Sequence, residues 1–229
     1  IETHKDKLHP ELAPFMKSRF TDEMYRRMDK AGFPMVPYVN PKGETPESGL
    51  VSFLESPRYS TGYAALHNTI GYMPETHMWK PYKQRVESTY TLMKSLYEVA
   101  VQESKELVAL RQKIKESVAN QVEFPVSWKL DTEHVDTIDF MGFESGKKNS
   151  DVSGQERLYY DRSKPFTKQV PYYSHYKPSV IITKPKAYII PQAYDKLVEL
   201  MQINGVQMKP LEKDELMEVE MYYISSYKT

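Results

Sequence analysis

The tripeptide Glu-Thr-His occurs twice in this chain, at residues 2–4 and at residues 75–77. If the second copy ends a strand, Glu75 and His77 are two residues apart and point to one face. A carboxylate can accept and return a proton, and carboxylate and imidazole both ligate metal ions. Such a pair at the carboxyl end of a strand, beside a loop rich in proline and glycine, sits where α/β sheets build sites. The same two side chains also fit a plain exposed polar pair. With six histidines and no cysteine, a metal site here must use His and carboxylates. Disulfides, thiolate zinc sites and cysteine nucleophiles are excluded by the same count.

Several elements must position these residues. Ile1 to His4 reads as a short strand end. Leu8, Leu12 and Phe15, then Phe20, Met24 and Met28, recur at three- to five-residue steps and predict helix. Thr21 is the expected N-cap of the second group, with Asp22 and Glu23 in its first turn and Gly32 as its stop. Residues 33–58 hold prolines at 34, 37, 41, 46 and 57 and glycines at 43 and 49. A loop that long within a domain is more often functional than decorative. A short helix or turn near Tyr63 should lead to a strand whose end carries Glu75 and His77. After Pro81 the series Val86, Tyr90, Met93, Tyr97 and Ala100, then Leu107, Leu110 and Ile114, predicts one long amphipathic helix or two end to end.

Beyond about residue 120 the pattern turns to strands. Val122–Leu130 and Ile138–Phe143 alternate apolar and polar, 144–156 is polar loop, and 156–161, 166–173 and 179–183 look strand-like. Lys186–Pro191, a helix near 192–203 stopped by Gly205, and Val206–Leu211 suggest a β-α-β unit. Alternation over Val219–Tyr223 closes the chain. The predicted division is residues 1–118, α/β in character, and residues 119–229, a β-rich module.

In 229 residues the charges balance, with 31 Lys+Arg against 31 Asp+Glu. That balance argues against a nucleic-acid partner, which draws a basic excess. No apolar run approaches the roughly 18 residues of a membrane span. No Gly-rich phosphate loop and no G-x-S-x-G elbow is present. The start at Ile1, without methionine or signal peptide, predicts a processed chain or an excised fragment.

The run Ser56-Pro-Arg-Tyr-Ser-Thr-Gly-Tyr-Ala-Ala-Leu-His-Asn-Thr-Ile-Gly-Tyr-Met-Pro-Glu-Thr-His-Met-Trp-Lys-Pro-Tyr-Lys-Gln-Arg-Val resembles bacterial zinc carboxypeptidases of the metallocarboxypeptidase family, in a branch with a C-terminal extension. The resemblance covers roughly residues 1–117. It implies a mixed-sheet α/β/α peptidase unit, of which this chain holds the C-terminal part, followed by a smaller, mostly-β (α+β) module. It implies a zinc cofactor, a peptide substrate cleaved at its C-terminus, and a secreted or periplasmic location. His4 looks like the strand-end histidine that supplies the third zinc ligand. Glu75 stands where the family's general base stands, at a separation from His4 typical of the family. Tyr59 or Tyr63 would be the loop tyrosine that closes over the substrate's last residue. Arg58 is a further expectation, made on chemistry alone, because guanidinium binds carboxylate bidentately. His77 is expected to support Glu75 from behind rather than bind metal.

The sequence departs from that family in its first two ligands. They come from an H-x-x-E motif upstream of the third, and neither His9-Pro-Glu-Leu nor His134-Val-Asp-Thr supplies it. The arginine and asparagine that hold the substrate carboxylate are also absent, and a further loop usually follows the histidine that His4 resembles. The expectation is therefore the back half of a peptidase, incomplete by itself. The rival is a non-catalytic peptide- or glycan-binding or structural module. Tyr159-Tyr160, Tyr172-Tyr173 and Tyr176 would serve such a platform, or simply pack a β core. His67 and His175 read as structural or exposed.

Overall fold

The computed structural model describes residues 4–227, so the expected strand end Ile1–His4 lies outside the described residues except for His4. The class is mixed α/β, with helices beside sheets that have both parallel and antiparallel pairs. The chain forms two compact units, Ile1–Lys184 and Pro185–Thr229.

The first unit begins with a 3-10 turn, Lys5–Lys7, then helix α1 (Leu12–Phe15), a π-helical turn (Met16–Thr21) and α2 (Asp22–Lys30) in unbroken succession. Thr21 is therefore not a cap. Its backbone is helical, and its hydroxyl meets the Tyr72 hydroxyl at 3.0 Å. The π turn adds a residue to one turn and lets the apolar series shift while still facing inward. Gly32 stops the helix as expected, with φ +80°, while Phe33 N–H donates to the Met28 carbonyl at 2.9 Å. That closing pattern needs a left-handed residue, which glycine adopts without strain.

Helices α3 (Ser60–Leu66), α4 (Tyr82–Gln102) and α5 (Ser104–Asn120) complete the helical part, with α4 and α5 end to end and a break at Glu103. Leu12, Phe15, Met16, Phe20, Met24 and Met28 join Leu92, Val99 and Ile114 in one core. Burying each of the larger of these side chains contributes about 1.5–3 kcal/mol. The face that α4 buries is not the expected one. Leu92 and Val99 are buried and Leu96 packs against the core, whereas Tyr90, Met93 and Tyr97 are exposed. Both series step by three and four, so spacing alone does not choose between them; the methionines of α2 pack on the Leu/Val side.

Strand β1 (Leu50–Val51) pairs in parallel with β4 (Glu156–Tyr173), which pairs antiparallel with β3 (Asp136–Asn149). A second sheet joins β2 (Glu123–Leu130) and β5 (Tyr176–Thr183), antiparallel. The β3–β4 hairpin runs from Asp136↔Tyr172 to Asn149↔Glu156 and slips register after Phe143. It is longer than expected: the predicted polar loop 144–156 is mostly ladder, and two predicted strands merge into β4. Leu50, Phe140 and Val170 form a second core on one face of this sheet, with Val36, Ile138 and Phe166 against it.

Residue 118, where the sequence places a domain boundary, lies within α5 near the change from helix to strand. The compact units divide further on, after Lys184. Early and late residues interleave before that point. Besides the β1–β4 pairing, the Asp6 carboxylate accepts the Tyr176 N–H at 3.0 Å.

The second unit contains α6 (Asp195–Ile203), stopped by Gly205 at φ +75° with Val206 N–H on the Met201 carbonyl. The strands expected at Lys186–Pro191 and Val206–Leu211 do not form among the described residues, and the alternating segment Val219–Tyr223 is not a strand either. A strand needs a partner ladder to satisfy its amides, and these segments pair with none.

Candidate functional site

One cavity of about 960 Å³ lies within the first unit. Its floor and sides come from the loop after α2 (Phe33 to Val39), from Leu92 of α4, and from Phe140–Phe143 and Phe166 of the β3–β4 hairpin. The loop Pro74–His77, with Trp79 and Lys80, supplies another edge, and Tyr160 and Arg162 of β4 a third. The size lies at the upper end of ordinary ligand sites, and a mostly apolar lining with a few polar groups is their usual composition. Part of the long proline-rich loop, expected to be functional on its length, lines this cavity. The aromatic wall and Arg162 were not singled out in the sequence, where Phe140, Phe143 and Phe166 read only as strand alternation.

Glu75 and His77 both line the cavity, but not from a strand. Residues 74–77 are irregular and exposed, so the shared strand face expected for the pair does not exist. The segment holds Pro74 and is followed by the turn at 78–79 and by Pro81; proline cannot donate to a ladder, which disfavours pairing here. His77 is fixed differently. Its Nδ1 accepts the Trp79 N–H at 3.2 Å, and the two rings meet edge to face at 5.6 Å. An Nδ1 that accepts leaves the proton of the neutral ring on Nε2. No hydrogen bond joins His77 to Glu75 among the described residues.

His4 lies elsewhere. It is buried at 4% exposure, and its Nε2 is 3.5 Å from Glu55 Oε2. Glu55 also accepts from the Thr61 hydroxyl at 3.0 Å, and its carbonyl takes the Lys7 ammonium. Burial lowers the Lys7 pKa, and the Glu55 charge opposes that shift. Glu55 thus ties the beginning of the chain to the first turn of α3. Sequence reasoning missed it, since a single glutamate before Ser56-Pro-Arg-Tyr carries no spacing signal.

Tyr59 precedes α3 and Tyr63 lies inside it; both are partly exposed, and the Tyr63 ring lies 4.9 Å from that of His67. Arg58 is exposed at the same corner. None of these three lines the cavity. The six expected site residues therefore fall into two places, with Glu75 and His77 at the cavity and His4, Arg58, Tyr59 and Tyr63 around the start of α3.

A catalytic zinc takes three protein ligands. Among the described residues no group of three or more His, Asp or Glu side chains could hold a metal ion. His4 faces Glu55, while Glu75 and His77 line the cavity wall, so the described residues do not make a zinc site by themselves.

A polar cluster near β2, β3 and β5 has a structural task. Asp131 accepts from Lys177 at 3.0 Å and contacts His134 Nδ1 at 2.6 Å, and these contacts hold its carboxyl well below the usual range. Asp136 takes the Ser174 hydroxyl and His175 Nε2, both at 2.9 Å. His175, expected to be structural or exposed, is thus a partner in holding the β4–β5 turn.

No protein-family model, curated protein or solved structure matches this chain. Among the described residues no helix is long and apolar enough to cross a membrane.

Proposed function

We propose that this chain carries part of the site of a zinc-dependent, metallocarboxypeptidase-like hydrolase that removes C-terminal residues from peptides. The observation that carries the reading is the placement of Glu75, an exposed carboxylate on the wall of the large cavity. The likeness of residues 56–86 to the peptidase segment supports it. In this reading Glu75 takes a proton from the attacking water and returns it to the leaving amine. Zinc does not fit the described residues alone: His4 stands apart from Glu75 and against Glu55, so in this reading residues beyond those described would have to supply the ligands beside Glu75.

A second reading is favoured by a specific feature. The cavity is walled by Tyr38, Trp79, Phe140, Phe143 and Phe166, and aromatic walls suit the capture of a peptide or glycan without chemistry. Timed mass spectrometry of an N-blocked peptide separates the two. The hydrolase reading predicts stepwise loss of C-terminal residues, reduced by at least about 100-fold in Glu75→Gln, the scale of a lost general base. Equal rates in the two proteins would sink Glu75 as base, and an intact peptide with tight binding would leave the binding module.

A further inference from the structure

Helices α2 and α4 line a second hollow, of about 520 Å³, with residues none of which lines the large cavity. Arg26, Arg27 and Lys30 come from α2, and Lys94, Ser95 and Glu98 from α4. We infer that this hollow binds an anion carrying two or more linked phosphoryl groups. The inference is independent of the peptidase reading, which concerns the other cavity.

The hollow is positive in a chain that is not. The sequence balances 31 Lys+Arg against 31 Asp+Glu, yet four cationic side chains and one carboxylate line this space. That carboxylate, Glu98, accepts from Arg27 Nη1 at 2.7 Å, and Arg27 Nε donates to Glu23 at 2.7 Å. Arg27 is thereby fixed between the two helices. Arg26 commits Nε and Nη2 to Glu23, at 2.7 and 2.6 Å, and keeps Nη1 for another acceptor. Lys94 approaches Glu98 only at 4.0 Å, and Lys30 takes no acidic partner among the described residues. Even with Glu23 counted, four cations stand against two carboxylates. Arg26 and Lys30 are one helical turn apart on α2, while Lys94 belongs to α4, so an anion long enough to reach both helices meets a cation on each.

Ser95 marks the hollow as a site rather than a charged surface. It is 7% exposed, yet it lines this space, and its hydroxyl makes no hydrogen bond among the described residues. Serine and threonine inside a helix can donate to the carbonyl four residues back, as Thr91 does to Glu87 at 2.8 Å. Ser95 does not, which leaves its donor to whatever the hollow holds; buried polar groups are otherwise paired. Phosphoryl oxygens accept from hydroxyl, ammonium and guanidinium alike. Among the described residues no aromatic side chain lines the hollow, so a nucleobase has nothing to stack on and the phosphoryl groups are the part recognised. A volume of about 520 Å³ falls in the ordinary range of small-ligand sites and leaves room for more than one such group.

The test is isothermal titration calorimetry of the full chain with inorganic phosphate, tripolyphosphate and a nucleoside triphosphate at matched ionic strength. Tripolyphosphate is expected to bind at least about tenfold more tightly than phosphate, because it meets cations on both helices. The nucleoside triphosphate is expected to bind no more tightly than tripolyphosphate. Lys30→Gln and Lys94→Gln together should weaken tripolyphosphate binding at least about tenfold, and Ser95→Ala about tenfold, the scale of a hydrogen bond to a charged group. Lys105→Gln with Lys115→Gln removes the same charge from exposed positions of α5 and should leave the affinity unchanged. Circular dichroism verifies that each variant folds; the four lysines are exposed, and alanine suits a helix. No binding, or a loss as large in the α5 pair as in the hollow pair, would overturn the inference. So would an affinity untouched by Ser95→Ala, or a nucleoside triphosphate that binds more tightly than tripolyphosphate. Peptide cleavage is scored separately, and its absence touches only the hydrolase reading.

Discussion

Glu55 shows how much one side chain can organise. Its carboxylate meets His4 and Thr61 and its carbonyl meets Lys7, so a buried histidine, a helix start and the chain's first turn share one partner. The close approach of α3 to this residue depends on Gly62. A Cβ there would collide with the Ser56 carbonyl oxygen and come within 2.7 Å of the Glu55 carbonyl oxygen, both backbone atoms that cannot swing away. Gly62→Ala should therefore destabilise the first unit by about 1–3 kcal/mol, the cost of overpacking, despite alanine's better helix propensity. Chemical denaturation measures this, and an unchanged or raised midpoint would show that α3 can shift. At Glu75 and His77 the residue types were legible in the sequence, while their backbone was not. The prolines at 74 and 81 were the signal against a strand, and the apolar run before them outweighed it.

At the level of elements, α2 is fastened to α4 by charge as well as by packing. Glu23 binds Arg26 at 2.6 and 2.7 Å and Arg27 at 2.7 Å, and Arg27 reaches Glu98 of α4 at 2.7 Å. The two arginines hold the Glu23 carboxyl down to about 2, from an ordinary 4.5. A depressed folded-state pKa contributes stability above the unfolded value and loses it as pH falls through the folded one. The wild-type protein should thus lose stability between about pH 4.5 and pH 2 more steeply than Glu23→Gln, and the difference between them should vanish near pH 2. Parallel melting curves for the two proteins would refute the linkage.

Helix positions and stops were readable because the α2 period and Gly32 act locally, as does Gly205 after α6. Which face of α4 turns inward was not readable. Its two stripes have the same spacing, and only the methionines of α2, distant in sequence, decide between them. Likewise Phe140, Gly142 and Phe166 are ordinary strand residues until the ladder places the glycine under both rings. The bulge that presents Arg162 follows from a register slip that no local sequence pattern announces.

For the molecule as a whole, the order of the chain and the order of its contacts differ. Strand β1 comes from the loop before α3, yet completes the sheet of β3 and β4, and Asp6 caps the turn into β5. That interleaving is why the helical and β parts up to Lys184 belong to one compact unit, a relation that composition does not record. It also sets a wall from the β part opposite the Glu75 loop from the helical part, and so makes the cavity. The central claim is that peptide binds in that cavity. Photo-crosslinking tests it most directly: an N-acetylated tripeptide ending in benzoylphenylalanine is irradiated with the Glu75→Gln protein, and the adducts are mapped by mass spectrometry. The account predicts adducts within residues 33–39, 74–80 and 140–166, competed away by an N-acetylated tripeptide of the same sequence ending in Phe. Competed adducts concentrated at residues 55–63 or in residues 185–227 would contradict it.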